Sequence, residues 1–433
     1  MSKPYQPTPE QIARAEQKRA KRAQLATAGK PKASPVVDDT KGLILPRKWI
    51  DLPTPEPLIN SMRVKIMTWN VTACSNPRAC VPDSPSNDLP SDFPLSSKAV
   101  NYSPLVTLKA SQREHMIYNE ILAHKADIAC MQEVDRLEKL LPVLDGAGHK
   151  HAYGSGPQKK HGCLIAFNRE KFGKVADKVV YYDNEEIRSD GEEHTRIGSS
   201  FKTRNIGFMV ALKGLEDTAL ALNKGIIVAT THLFWHPRQA GILVREVVKF
   251  RDVIGHKDWP CIISGGSAIC FQYRSSLNRN ISDFNFGPDD PAYSLLVGDS
   301  LLAAQEERIA PSRVVHRSRD PTVPPASKKL PGDDVEGEGG EESDPDRVIT
   351  NARPARPSDG LLTNSEFATL FANPVHSAYE EGLSKLQTMV PSVPTYGDIV
   401  DIDPAHRGAN EPQWTSYTHF WKAVLGAIVD ESS

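Results

Sequence analysis

Long apolar runs, regularly spaced cysteines and a dominant sign of charge are all scarce in this chain, and each scarcity removes a class of function. No stretch reaches the ~18 uninterrupted apolar residues that a spanning helix requires. Residues 1–20 are polar and have no apolar h-region, so the expected setting is intracellular and away from the membrane. The six cysteines, Cys74, Cys80, Cys130, Cys163, Cys261 and Cys270, form neither a CxxC pair nor a secreted disulfide framework, and they read as reduced thiols. Lys and Arg total 52 against 54 Asp and Glu, a net charge of -2, so no whole-chain field can hold a polyanion. A nucleic acid would have to be gripped by a local patch. Nucleus or nucleolus, cytoplasm and mitochondrion all remain open as compartments.

What is present divides the 433 residues unevenly. Residues 1–56 carry no apolar periodicity, and their Ala-, Lys- and Arg-rich run can form a basic helix with no face to bury. This predicts a disordered basic tail; Lys18-Arg19-Ala20-Lys21-Arg22 is the only support for an RNA-binding arm or an import signal. Residues 310–359 collect prolines with the acidic, glycine-rich run 332–342, a composition that buries too little apolar surface to offset chain entropy. A surface excursion is expected there. Between these regions, apolar runs of strand length at 64–69, 128–131, 164–167, 207–212, 226–230 and 261–263 alternate with helical patterns at 112–124 and 238–253. Interleaving of this kind predicts a layered α/β domain over 57–433.

Several polar residues stand where strands would end, the places from which a sheet delivers side chains to a rim. Asn70 closes the run 64–69; taken alone, it serves equally as an Asx turn. Glu133 follows a buried run, and a hard divalent cation wants one or two such oxygens and draws the rest of its shell from water and phosphate. An ordinary helix-start acid explains Glu133 as well. His232 and His236 are four apart, but the strand-like run before them, Pro237 after them and the missing Glu of HExxH argue against a zinc helix. A histidine set at a strand end to bind phosphate is the better reading of His232. Asn205 is another amide beside an apolar run, and Asp283 and Asn285 are two apart, so on an extended segment they share one face. Lys159, Lys160, Lys202 and Arg204 flank the same rim and suit backbone phosphates. Trp235 and Phe234 offer flat faces for an unstacked base, or simply fill a core.

In order, Thr68-Trp69-Asn70, Gln132-Glu133-Val134-Asp135, Asn205-Ile206-Gly207, Thr231-His232-Leu233 and Asp283-Phe284-Asn285 resemble the motifs of the endonuclease/exonuclease/phosphatase superfamily. The likeness is greatest to its deadenylase-related branch and to fungal Ngl-type RNA exonucleases, and it runs over roughly residues 66–425. The resemblance implies a four-layered α/β sandwich, two mostly antiparallel sheets face to face with helices outside. It also implies that Glu133 ligates Mg²⁺, or Mn²⁺, with Asn70 beside it. Asp283 would then orient or deprotonate the attacking water while Asn285, Asn205 and His232 hold phosphate oxygens. The implied substrate is RNA, as a poly(A) tail or a ribosomal RNA precursor, handled by a monomer.

Three junctions depart from the resembled pattern. Residues 266–282 separate the strand ending at Gly265 from Asp283-Phe284-Asn285, and their removal would restore Ser-Gly-Asp-Phe-Asn. Residues 72–107 are Pro- and Ser-rich, and after Leu425 the chain continues without the Asp-Tyr-Ile and Ser-Asp-His elements. The expectation is a C-terminally truncated sandwich with insertions at about 72–107, 266–282 and 310–359. Two readings follow, an active RNA 3′-exonuclease or a catalytically impaired product that at most binds RNA or protein. A phosphodiesterase for phosphoinositide head groups is a third.

Overall fold

β-Branched and aromatic residues recur at every second position of the longer strands, and the two faces they define sort the molecule into layers. The computed structural model describes residues 64–71, 110–215, 225–233, 236–265, 286–324, 351–388, 393–413, 416–417, 422–423 and 427–430. The basic tail and the segments 72–107 and 266–282 lie outside these residues. One sheet contains β1 (Ile66–Asn70), β2 (Ile128–Val134), β3 (His149–Ser155) and β4 (Gly162–Asn168) in the order β1-β2-β4-β3. β1 and β2 run parallel, and the other pairs are antiparallel. The second sheet contains β5 (Phe172–Tyr181), β6 (Ile206–Gly214), β7 (Gly225–Thr231), β8 (Cys261–Gly265), β9 (His376–Ser377) and β10 (Ala427–Asp430). Its order is β9-β10-β8-β7-β6-β5, antiparallel except at the β7–β8 step.

Alternate residues of neighbouring strands feed separate cores. Ile128 and Cys130 of β2, Ile165 and Phe167 of β4, Phe208 and Val210 of β6 and Val228 of β7 fill the space between the sheets. The intervening Ala129, Met131, Leu164 and Ala166 turn outward and meet Ile121, Leu140 and Leu144 of two helices, α1 (Ala110–His124) and α2 (Leu137–Gly146). On the far side, Met209, Ala211, Ile227, Ala229 and Ile263 pack against α3 (Pro237–Val253), α4 (Pro291–Val297) and α5 (Asn364–Leu370). Three cores separated by two sheets make four layers, as the resemblance implies. Each fully buried Val, Leu, Ile or Phe contributes about 1.5–3 kcal/mol to holding the layers together.

Local chemistry starts the outer helices. Pro237 and Pro291 stand at the first turns of α3 and α4, where no backbone N–H is missed, and Asp290 caps α4 by accepting from Ala292 N. Thr363 and Glu366 form a reciprocal capping box on α5.

One expectation about the outer parts is corrected. The excursion expected over 310–359 is structured at both ends. Val314–His316 pairs antiparallel with Ala352–Pro354, Val315 and Val323 are buried, and Arg353 reaches Asp320 at 2.9 Å and Asp359 at 2.7 Å, so two apolar anchors and ion pairs tie down a stretch whose overall composition is polar. The acidic run lies outside the described residues. The stretch after Leu425, off the resembled pattern, supplies β10 to the interior of the six-stranded sheet, Ile428 opposite Ile263 and Val429 opposite Ile262. Its β-branched residues suit that role whatever the motif. β1, by contrast, has a partner on one side only among the described residues.

Candidate active site

The rim is built where β1, β2 and β7 end together. Between Met131 and Val134 the pairing of β2 with β4 slips by a bulge, and Glu133 takes a left-handed φ of +56°. A bulge re-aims a side chain that a regular strand would hold in its alternating place. Beneath it Gln132 is fully buried, and its amide Nε2 donates to Thr230 Oγ1 at 2.7 Å and Thr68 Oγ1 at 3.2 Å. Thr68 Oγ1 in turn donates to the Gly265 carbonyl at 2.9 Å. Polar side chains thus staple the sheets under the rim, in a layer otherwise apolar. Asn70 stands opposite Gln132 in the parallel register, and Val71 N donates to Gln132 O at 3.1 Å. His232 is the first residue past β7, and its Nδ1 lies 3.2 Å from Glu133 Oε1, with both side chains largely buried.

A second group comes from two turns facing this pair. Lys159 N donates to Gly156 O at 3.1 Å, closing a tight turn with Pro157 second and Gln158 third at φ +60°. That turn approaches the loop carrying Asn205 so closely that a Cβ on Gly156 would collide with the Arg204 carbonyl, which is why glycine stands there. Lys159 Nζ donates to Asn205 Oδ1. Burial lowers the Lys159 pKa, while Cys163 and the carboxylates of Glu133 and Asp183 oppose the fall. His161 is half-buried in the same field. Desolvation lowers its pKa, and Glu133, Lys159, His232 and Asp135 act on it in turn. Burial therefore favours its neutral form relative to an exposed histidine.

The structure brings Glu133 and His232 into contact and joins Asn205 to Lys159, and Asn70 lies one register step from Glu133. Lys160 and Lys202 are exposed on the flanking turns, and the Lys202 backbone N–H donates to Ser318 Oγ at 2.9 Å. Trp235, Asp283 and Asn285 lie outside the described residues. His236 parts company with His232: burial pushes its pKa down to about 3, and it caps α3 with its ring 5.4 Å from that of Phe367. Sequence reading missed His161 and Gln132. His161 immediately precedes an apolar run of strand length, the same signal that picked out Glu133 and His232 at the other ends of such runs.

The donor set suits a hard cation. The Glu133 carboxylate and, two residues on, a buried Asp135 Oδ1 with no hydrogen-bond partner among the described residues are oxygen ligands of the kind Mg²⁺ takes while keeping its waters. No cluster of three or more His, Cys, Asp or Glu that could by itself hold a metal ion occurs among the described residues, so a cation here would draw most of its shell from water and phosphate. No described helix is long and apolar enough to cross a membrane.

A family model for the Endonuclease/Exonuclease/phosphatase family matches residues 96–368. The chain is similar to the probable RNA exonuclease C9B6.11c of Schizosaccharomyces pombe, 31% identical over 275 residues, covering 60% of this chain and 48% of that protein. It is also similar to RNA exonuclease NGL2 of Saccharomyces cerevisiae, 31% identical over 265 residues, covering 56% of this chain and 45% of that one. The chain thus spans about half the length of these relatives. ANGEL2, a 2′,3′-cyclic phosphatase of known structure, aligns over 86% of this chain and 84% of its own at 18% identity and a TM-score of 0.42, too loose to add to the fold described above. The matched span runs from ahead of α1 into α5 and takes in Glu133, Asn205 and His232, and the chain belongs to the endonuclease/exonuclease/phosphatase family.

Proposed function

We propose that this chain is a Mg²⁺-dependent RNA 3′-exonuclease that hydrolyses phosphodiester bonds in RNA tails or ribosomal RNA precursors. The observation that carries the reading is the convergence of Glu133 and His232, 3.2 Å apart, from strands of two different sheets onto one rim that also holds Asn205 and Lys159. The two relatives above are themselves named as RNA exonucleases. A divalent cation held by Glu133, with Asn70 beside it, would supply positive charge to neutralise the negative charge on the phosphoryl oxygens.

The chain's own groups do the rest. His232 and Asn205 donate to phosphoryl oxygens, and Lys159, held in a partly desolvated turn, adds a fixed charge that costs no reorganisation. Asp283 orients or deprotonates the attacking water and Asn285 holds phosphate. Lys160 and Lys202 take the RNA backbone and Trp235 stacks a base. Losing one such donor raises the barrier by about 3 kcal/mol.

The test is shortening of a 5′-labelled oligoadenylate by the full chain with Mg²⁺, beside Glu133→Gln. Stepwise loss from the 3′ end that the variant reduces by about a hundredfold or more is expected. Equal turnover by both proteins removes the assignment of Glu133. RNA binding without turnover by the unaltered chain would replace the enzyme with a non-catalytic binding module.

A further inference from the structure

Behind Asn205 runs a chain of hydrogen bonds with a fixed direction. Lys159 Nζ has only donors, so the Asn205 atom it meets must be Oδ1, and Nδ2 is left facing Gln239. Asn205 Nδ2 donates to Gln239 Oε1 at 3.4 Å, and Gln239 Nε2 donates to Thr203 Oγ1 at 2.8 Å. Thr203 Oγ1 also accepts from Asn205 N at 3.0 Å and donates to Asp183 Oδ1 at 3.5 Å. Asp183 holds the far end in place, taking Thr203 N at 3.1 Å and Arg204 N at 2.7 Å. An ammonium at one end and a carboxylate at the other leave neither amide free to flip.

We propose that Gln239 is a positioning residue for the hydrolytic site: it holds the Asn205 amide so that its remaining N–H is presented to a phosphoryl oxygen. Gln239 is 4% exposed and sits in the first turn of α3, the helix that begins five residues after His232. It therefore locks the loop bearing Asn205 to the segment bearing His232, so that two phosphate donors from different strands move as one body. The inference rests on the proposed role of Asn205 and goes beyond it, because Gln239 has no place in the motifs that suggested that role. It acts on the reaction only through Asn205.

The experiment is a double-mutant cycle on the full chain with Gln239→Leu, Asn205→Ala and the pair, read both as kcat and KM on labelled oligoadenylate and as affinity for adenosine 5′-monophosphate by titration calorimetry. Gln239→Leu should lower kcat about tenfold with KM little changed, weaken nucleotide binding, and add nothing once Asn205 is alanine. Gln239→Glu, which keeps an acceptor for Asn205 Nδ2, should recover part of the loss. A merely structural role for Gln239 predicts the same loss in both backgrounds, and that result, like an unchanged Gln239→Leu, overturns the proposal. If the leucine variant does not fold, Thr203→Val interrupts the chain one bond further on and must show the same dependence on Asn205. Coupling seen in nucleotide binding without any turnover upholds Gln239 and sinks the exonuclease instead. Neither turnover nor nucleotide binding by the unaltered chain overturns both.

Discussion

Glu411 offers a sharp test of how the C-terminal part is held. Its side chain is 1% exposed, and Tyr293 of α4 donates its hydroxyl to Oε1 at 2.9 Å. Burial lifts its pKa from 4.5 to about 7; Ser377 and Tyr293 pull the other way, and the nearby Glu380 carboxylate adds to the rise. Glu380 is itself engaged by Asn410, through N at 2.9 Å and Nδ2 at 2.7 Å, and offers Glu411 no cation. Between these pKa values the unfolded chain gives up the proton while the folded chain keeps it. Stability from this group is therefore lost as pH rises from about 4.5, and the loss is complete above about 7. A rise from 4.5 to about 7, at about 1.4 kcal/mol per pH unit, amounts to about 3 kcal/mol. Glu411→Gln keeps the acceptor for Tyr293 and cannot ionise. The variant should gain on the unaltered chain by about 2–3 kcal/mol more at about pH 8 than at about pH 5, a difference free of any fixed cost of the new amide. Urea unfolding of both proteins at the two pH values measures it. A stability difference that does not change with pH would refute the reasoning, whatever its size.

Three other outcomes follow from the same packing. Arg238 is 4% exposed, and its guanidinium donates to the carbonyls of Tyr182 and Glu185 at 2.8 Å and of Ile197 at 2.8 and 3.1 Å; Arg238→Met leaves that cage without donors and should cost about 3–5 kcal/mol in thermal unfolding, so a cost under about 1 kcal/mol counts against it. Gly156→Ala pushes the Lys159 turn off the Asn205 loop, because the new Cβ meets the Arg204 backbone carbonyl; it should cost about 1–3 kcal/mol in thermal unfolding and cut the proposed hydrolysis about tenfold or more, with wild-type melting and turnover the contrary result. Burial raises the Glu246 pKa, but hydrogen bonds from Lys178 and Lys249 and the charge of Arg245 win and hold it at about 2. Its contribution is complete above the ordinary carboxylate range and fades as pH falls toward 2, so Glu246→Gln should flatten the acid limb of the stability curve.

The strands were legible because their side chains alternate between two packed faces: Val228 and Ala229 of β7 belong to different cores, and that period of two is written in the residues. Glu133, Asn205 and His232 were legible because each adjoins an apolar run. What joins them was not. Gln132 reads as an ordinary residue inside a buried strand, and only the facing sheet shows that its amide meets Thr68 and Thr230, 64 and 98 residues away. Gln239 reads as a polar residue of an amphipathic helix, and its partners lie 34 and 36 residues back along the chain. Amides and hydroxyls carry no charge pattern, so their pairing across such separations leaves no local trace. β10 lies beyond the resembled motifs, and its place comes from strand-forming residues rather than from any motif.

Backbone conformation marks the same rim independently of side-chain chemistry. Five non-glycine residues among those described have positive φ, and three of them, Glu133, Gln158 and Arg204, are a site residue or the immediate neighbour of one. None is Asn or Asp, the types that tolerate the left-handed region, so local preference opposes all three at about 1–2 kcal/mol each. Such strain persists only where the surroundings over-determine the backbone. At Glu133 the surroundings are the β2 bulge and the Gln132 staple, at Gln158 the turn closed by Lys159, and at Arg204 the Asp183 carboxylate that grips its N–H at 2.7 Å. A fold selected for stability alone would place glycine at such positions. Glutamate, glutamine and arginine in these three, gathered around one rim, fit the function proposed above, in which Glu133, Lys159 and Asn205 must be held in register.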